Sequence, residues 1–223
     1  MGRSLIIVGD SAFAEVACEC FTHDSDYDVV GFAVERDFLH RDELFGLPVV
    51  PFEELDTTYA PREHSVYVAT VYTELNRLRT RLANAAKSMG FRLASYVSSA
   101  AFLWRNVELG EHCFIFEGNV VQPFVRLGNN VVLWSGNHIG HHSTIGDNCF
   151  VASHVVVSGF VAVGENCFLG VNSTVVNNVQ IGRDSWIGPA VVVTKDVAEG
   201  SYLKPARGTV GERSTIDFFG IER

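Results

Sequence analysis

Four of the eight histidines fall in one short stretch: His138, His141, His142 and His154. An imidazole titrates near neutral pH and is the commonest general base in enzymes. Its chemistry here would be to take a proton from a substrate group and return it. Metal ligation is the other use of such residues. Offsets of zero, three and four share one face only on a helix, and on a β-coil they diverge, so no metal site is expected. The cysteines, at 18, 20, 113, 149 and 167, show no metal spacing. Without an export signal they do not suggest a disulfide framework either.

The element that carries the histidines is legible in the spacing of aliphatic residues. Steps of six from Leu103 land on Leu, Ile or Val every time: 103, 109, 115, 121, 127, 133, 139, 145, 151, 157, 163, 169, 175, 181, 187 and 193. Self-similarity at a fixed period marks a solenoid. A helix needs a period near 3.6 and a flat strand a period of 2. Six suits a short strand plus a turn, and three such units close a triangular coil of eighteen residues. The residue after the aliphatic is often Gly, as at 110, 128, 140, 146, 164, 170, 182 and 188, which suits a tight turn with unusual backbone angles. The residue two before is mostly small, as at Cys149, Cys167 and Ser185, which read as core fillers in one column. Asn119 and Asn137 share an inward column and suggest a buried amide ladder. His141 and His142 come two and three places after inward Ile139. They belong to a turn and face outward, where a flat-sided prism meets a neighbouring subunit.

Residues 1–97 alternate strand and helix, which implies a small Rossmann-like parallel sheet with helices on its faces. Strands are expected at Leu5–Val8, Asp28–Val34, Ser65–Thr70 and Arg92–Val97. Helices are expected at Phe13–Phe21 and from a cap at Thr73 to Met89. Ligands of such sheets sit at the C-terminal ends of the strands, and the turn Gly9-Asp10-Ser11-Ala12 opens a helix there. The turn is not GxGxxG, so a dinucleotide site is not expected. The expected domains are 1–97, the β-helix at 98–197, and a capping segment at 198–223 containing Pro205 and Phe218-Phe219. The lobe is expected to cover one open end of the coil.

The totals exclude some partners. A net charge of −9 argues against nucleic acid or an anionic membrane. No apolar run reaches the ~18–20 residues that span a bilayer, and the start lacks a signal-peptide core, so the cytoplasm is expected.

The run His138-Ile-Gly-His-His-Ser-Thr-Ile-Gly146, with Cys167-Phe-Leu-Gly-Val-Asn-Ser173, resembles the bacterial sugar acyltransferases related to the sialic acid O-acetyltransferases. Within them it is most like enzymes that N-acetylate nucleotide-linked amino sugars, of the perosamine and bacillosamine kinds. The resemblance covers nearly the whole chain. It implies a left-handed parallel β-helix, a homotrimer with sites between subunits, and acetyl-CoA as acyl donor. It implies N-acetylation of a 4-amino-4,6-dideoxy sugar on a nucleotide, for surface polysaccharide such as O-antigen. His141 matches the general base and His142 is its catalytic neighbour. Gly159, Gly170 and Lys195 match positions along the cofactor, with the Gly159 N–H toward the thioester carbonyl. Gly9, Ser11, Phe13 and Glu35 match the nucleotide-sugar site of the lobe. Two departures stand out. The residue after the matching histidine is usually Asp or Glu, and the first turn is usually richer in glycine, whereas here Asp10 would repel a pyrophosphate unless turned away. O-acetylation of a hydroxyl is the close alternative, and the sequence does not fix the sugar, the nucleotide or the acyl length. A γ-type carbonic-anhydrase-like metal lyase is the alternative from another class. It needs two histidines five apart, which this sequence lacks. A scaffold without activity is the third.

Overall fold

A computed structural model describes residues 3–222. The N-terminal lobe is an α/β sandwich. Strand β1 (Arg3–Val8) leads to helix α1 (Ala12–His23) and strand β2 (Tyr27–Val34). A hairpin of β3 (Glu43–Leu44) and β4 (Leu47–Pro51) follows, then the short α2 (Leu55–Thr58), β5 (His64–Val68), α3 (Arg77–Ser88) and β6 (Arg92–Leu93). The sheet order is β3-β4-β2-β1-β5-β6, parallel except for the hairpin. Helix α3 starts later than the expected cap at Thr73. Glu74, Leu75 and Asn76 all take left-handed backbone angles, which no helix tolerates.

The remainder is a left-handed parallel β-helix. Its three faces are ladders of two-residue strands whose partners are eighteen residues apart, as in Phe114↔Val132 and His138↔Val156. Face one carries Tyr96–Val97, Phe114–Ile115, Val132–Leu133, Phe150–Val151, Phe168–Leu169, Trp186–Ile187 and Tyr202–Leu203. Face two runs from Phe102–Leu103 through His138–Ile139 to Val192–Val193, and face three from Glu108–Leu109 to Gln180–Ile181. The first coil strand is thus Tyr96–Val97, not a strand of the lobe, and the coil passes 197 to include Leu203. The aliphatic column points inward as expected. From Ile115 to Val193 its members are 3% exposed or less.

The turns work differently from the sequence reading. The glycines that follow the aliphatic do not take left-handed angles. A Cβ on Gly140 would lie 2.5 Å from the carbonyl carbon of Ser158 in the next coil, so close stacking of coils excludes it. The left-handed residue comes two places later, at Phe124, His142, Asn148, Phe160 and their equivalents. Asn119 and Asn137 are buried but do not form a ladder with each other. Asn119 donates to the Phe116 and Trp134 carbonyls, and Asn137 to that of Trp134, so each amide ties down a turn.

The lobe does not cap an end of the coil. It lies along face one, and Leu109 of the first coil stays 36% exposed. The physical reason is the outward column of that face. Phe114, Val132, Phe150 and Phe168 are large and apolar, and all are buried against Phe13, Phe21, Tyr67 and Tyr72. Within this seam His112 is fully enclosed. Its Nε2 accepts from the Val68 N–H (2.9 Å), and its Nδ1–H donates to Asn130 Oδ1 (2.7 Å). Burial, with the Arg79 guanidinium beside it, pushes the His112 imidazole down from 6.5 to about 3. The unfolded chain therefore binds this proton first as pH falls. Stability from His112 is complete above 6.5 and is lost progressively as pH drops toward about 3. Urea midpoints from about pH 7 to about pH 4 are expected to fall. His112→Asn, which the same column accepts at Asn130 and Asn148, is expected to remove that share of the slope.

After Leu203 the chain leaves the coil. Helix α4 (Thr215–Phe219) is capped by Ser214 and Gly220, and Phe218 and Phe219 are exposed rather than packed on the last coil. No helix among the described residues is long and apolar enough to cross a membrane.

Candidate active site

The eighteen-residue repeat stacks residues at the corner between faces two and three into columns. One column reads Arg105, Pro123, His141, Gly159, Asn177 and Lys195. Successive members are separated by roughly 4.8 Å, the spacing of hydrogen-bonded strands. The sequence residues His141, Gly159 and Lys195 therefore share one line along the coil. Lys195 lies three coils from His141, about 14 Å along the axis. Lys195 is exposed, and no carboxylate among the described residues pairs with it.

His141 is exposed, but its ring is not free to wander. Its backbone N–H donates to Gln122 Oε1 (2.9 Å). Its imidazole lies over Gly159 so closely that a Cβ there would be 2.7 Å from Cε1. Phe160 meets it edge-on at 5.1 Å. Its Nδ1 lies 3.2 Å from His142 Nδ1. His142 is in the neighbouring column with Phe124, Phe160 and Asn178. Its ring stacks on Phe124 (4.6 Å, 26°) and on Phe160 (4.8 Å, 15°). The result is an exposed imidazole whose Nε2 has no hydrogen-bond partner among the described residues, an arrangement open to general-base chemistry.

The Gly159 N–H donates to Asn177 Oδ1 (3.1 Å). Sequence reasoning missed Asn177. Its signal was present, since it comes 36 residues, or two full coils, after His141. Any acceptor that takes the Gly159 N–H must displace this amide.

The other histidines do not join the site. His138 is an outward residue of a face-two strand, and His154 sits at the corner between faces one and two, over Gly136. Trp134 is packed under the lobe against Phe13 and Phe116. No three His, Cys, Asp or Glu side chains among the described residues form a group that could hold a metal. Gly170 also falls elsewhere. It follows the face-one strand Phe168–Leu169 and is buried, and a Cβ there would lie 2.6 Å from Pro189 N. Close stacking of the coil accounts for this glycine without a cofactor.

In the lobe, Gly9 ends β1 at φ +119, with its N–H bonded to the Ala33 carbonyl. Ser11 is exposed at the N-cap of α1 and makes no side-chain cap bond, so it leaves the first-turn N–H groups uncapped. Phe13 is a correction. Its ring is 3% exposed and packs on Tyr67, Phe114 and Trp134, so it builds the seam and only its main chain reaches the turn. Asp10 is turned to Arg41 (3.3 Å), which offsets its charge. Glu35 ends β2 and takes a two-point contact from Arg81 (2.7 and 2.9 Å), which holds its carboxyl below the usual range.

No curated protein sequence matches the chain. The bacterial transferase hexapeptide family (six repeats) matches residues 125–159, and the hexapeptide repeat of succinyl-transferase matches residues 160–195. Among solved structures, the acetyltransferase domain of PglB from Neisseria gonorrhoeae FA1090 superposes with a TM-score of 0.82 at 19% identity, over 92% of this chain and 97% of that one. PerB from Caulobacter crescentus, in complex with CoA and GDP-perosamine, superposes with a TM-score of 0.80 at 25% identity, over 91% and 94%. WeeI from Acinetobacter baumannii AYE follows at 0.69 and 20% identity, over 89% and 94%. Two hexapeptide-repeat models thus match adjacent stretches of its coil, and along nearly all its length the chain shares the architecture of known sugar acetyltransferase structures.

Proposed function

We propose that the chain transfers the acetyl group of acetyl-CoA to the amino group of a nucleotide-linked 4-amino-4,6-dideoxy sugar, with His141 as general base. The observation that carries this reading is the corner column. It puts an oriented, exposed imidazole beside a glycine N–H and ends in Lys195, a cation with no carboxylate partner among the described residues. The matched structures support the substrates: one is a PglB acetyltransferase domain with acetyl coenzyme A, another PerB with CoA and GDP-perosamine.

In this reading acetyl-CoA lies along the corner from Gly159 toward Lys195, whose ammonium meets a phosphate. The sugar amine attacks the thioester carbonyl carbon and a C–N bond forms. His141 Nε2 takes a proton from that nitrogen. The carbonyl oxygen gains negative charge and replaces Asn177 as the acceptor of the Gly159 N–H. The C–S bond then breaks, and the CoA thiolate leaves and recovers the proton from His141. A sugar hydroxyl would follow the same steps.

The lobe would hold the nucleotide at the Gly9–Ser11 turn and at Glu35. The α1 N-terminal N–H groups suit a phosphate, and Arg41 keeps Asp10 from repelling it. A homotrimer completes the site. Face one is covered by the lobe, and face three is polar, with a Glu108–Arg126 ion pair. Face two leaves Phe102, Val120, Val156 and Val192 exposed beside the His141 corner. That face is the one to bury against a second copy, which would supply the wall that the exposed imidazoles lack.

A thiol-release assay with acetyl-CoA and a panel of nucleotide-linked amino sugars tests the proposal. Thiol release that depends on a 4-amino sugar supports it. Release with none of the amine or hydroxyl acceptors overturns it.

A further inference from the structure

The two imidazoles of the corner meet through like atoms, Nδ1 to Nδ1 at 3.2 Å. A hydrogen bond between them holds one proton, so one ring donates and the other accepts. His142 is the more firmly held ring. It is clamped between Phe124 and Phe160, and its backbone N–H donates to the Pro123 carbonyl (3.1 Å).

We propose that His142 is a positioning residue that accepts the Nδ1–H of His141, so that His141 keeps a bare Nε2, and that this works only while His142 is uncharged. The proposal rests on His141 being the base. When His141 Nε2 takes the substrate's proton, its Nδ1–H still has the His142 lone pair to point at. If His142 Nδ1 carries a proton instead, it becomes the donor. His141 must then accept through Nδ1 and carry its own proton on Nε2, where it no longer acts as a base. Either proton silences the pair, so the active form and the fully protonated form differ by two protons.

Among the described residues, the rings packed against His142 supply no competing charge. Phe124 and Phe160, on the coils before and after, are neutral, and His141 is the titratable neighbour. The charged members of the two columns are Arg105, two coils before His141, and Lys195 and Asp196, three coils after the pair. The face-three strand that follows begins with Thr144.

The column itself shows which substitutions fit. Phe124 and Phe160 already hold the left-handed backbone of His142 (φ 59) at φ 64 and 59, and Asn178 holds it at 63. His142→Phe keeps the stack and removes the acceptor. His142→Asn keeps an acceptor oxygen and removes the titration.

The test is the pH profile of kcat for the wild type and both variants, with His141→Ala as control. His142→Phe is expected to lower kcat about 10–100-fold with KM for both substrates within about twofold, a loss of positioning alone. His142→Asn is expected to stay within about fivefold of wild type at neutral pH. Its acid limb should have a slope of one, where the wild-type limb steepens toward two. Wild-type kcat in His142→Phe, or an acid limb that His142→Asn leaves unchanged, overturns the proposal. The base reading fails separately, and only if His141→Ala keeps its activity.

Discussion

Replacing His141 by alanine is expected to lower kcat by about 10²–10⁴-fold, the range for loss of a general base. The KM for acetyl-CoA should move little, because the proposed arrangement puts the imidazole at the reacting end of the corner and not along the cofactor's length. Thermal stability should be nearly unchanged, since the side chain is exposed and its loss leaves no cavity. Steady-state kinetics together with a melting curve check all three. A variant that folds normally and turns over at the wild-type rate would remove the base from the mechanism.

The second large effect comes from a glycine. In Gly159→Ala the three atoms nearest the new Cβ all belong to the His141 ring, at 2.7, 2.9 and 3.2 Å. The backbone of Gly159 is not left-handed, so alanine strains nothing locally. The imidazole alone has to swing away, and it loses its contact with His142. A misplacement of about 1 Å costs on the order of 10²-fold in rate, and that is the expected fall in kcat. Gly140→Ala is the control. Its Cβ would meet the Ser158 backbone at 2.5 Å, so it should lower the melting temperature instead. A double-mutant cycle sharpens the point. In a His141→Ala background Gly159→Ala should cost almost nothing more, because the group it displaces is already gone. Additive losses would mean that the added methyl group acts independently of the ring.

The coil and its buried column were legible because the period of six is local and unbroken from Leu103 to Val193. The same arithmetic at eighteen residues aligns His141, Gly159 and Lys195, and would have found Asn177. It also separates His154, which is thirteen residues from His141 and so belongs to another corner. Where sequence reading failed, the cause was tertiary. The hexad pattern says which residues point outward but not what covers them. The outward aromatics Tyr96, Phe114, Phe150, Phe168 and Trp186 were a signal of a covered face, yet the lobe was expected at an end. Phe13 lies in the turn that opens α1, and only the docking of that helix on face one shows its ring to be seam. The glycine after each aliphatic was assigned to backbone angles. The true constraint, the next coil's backbone, appears only once the coils are stacked.

The account comes down to where the reacting atoms meet. The most direct measurement is a structure of the assembled protein with CoA and an unreacted nucleotide-linked amino sugar. The account predicts the amine nitrogen within about 3 Å of His141 Nε2, with the CoA sulfur beside Gly159 and the phosphates toward Lys195. An amine bound away from the His141 corner, or a CoA chain on face three instead, would contradict it.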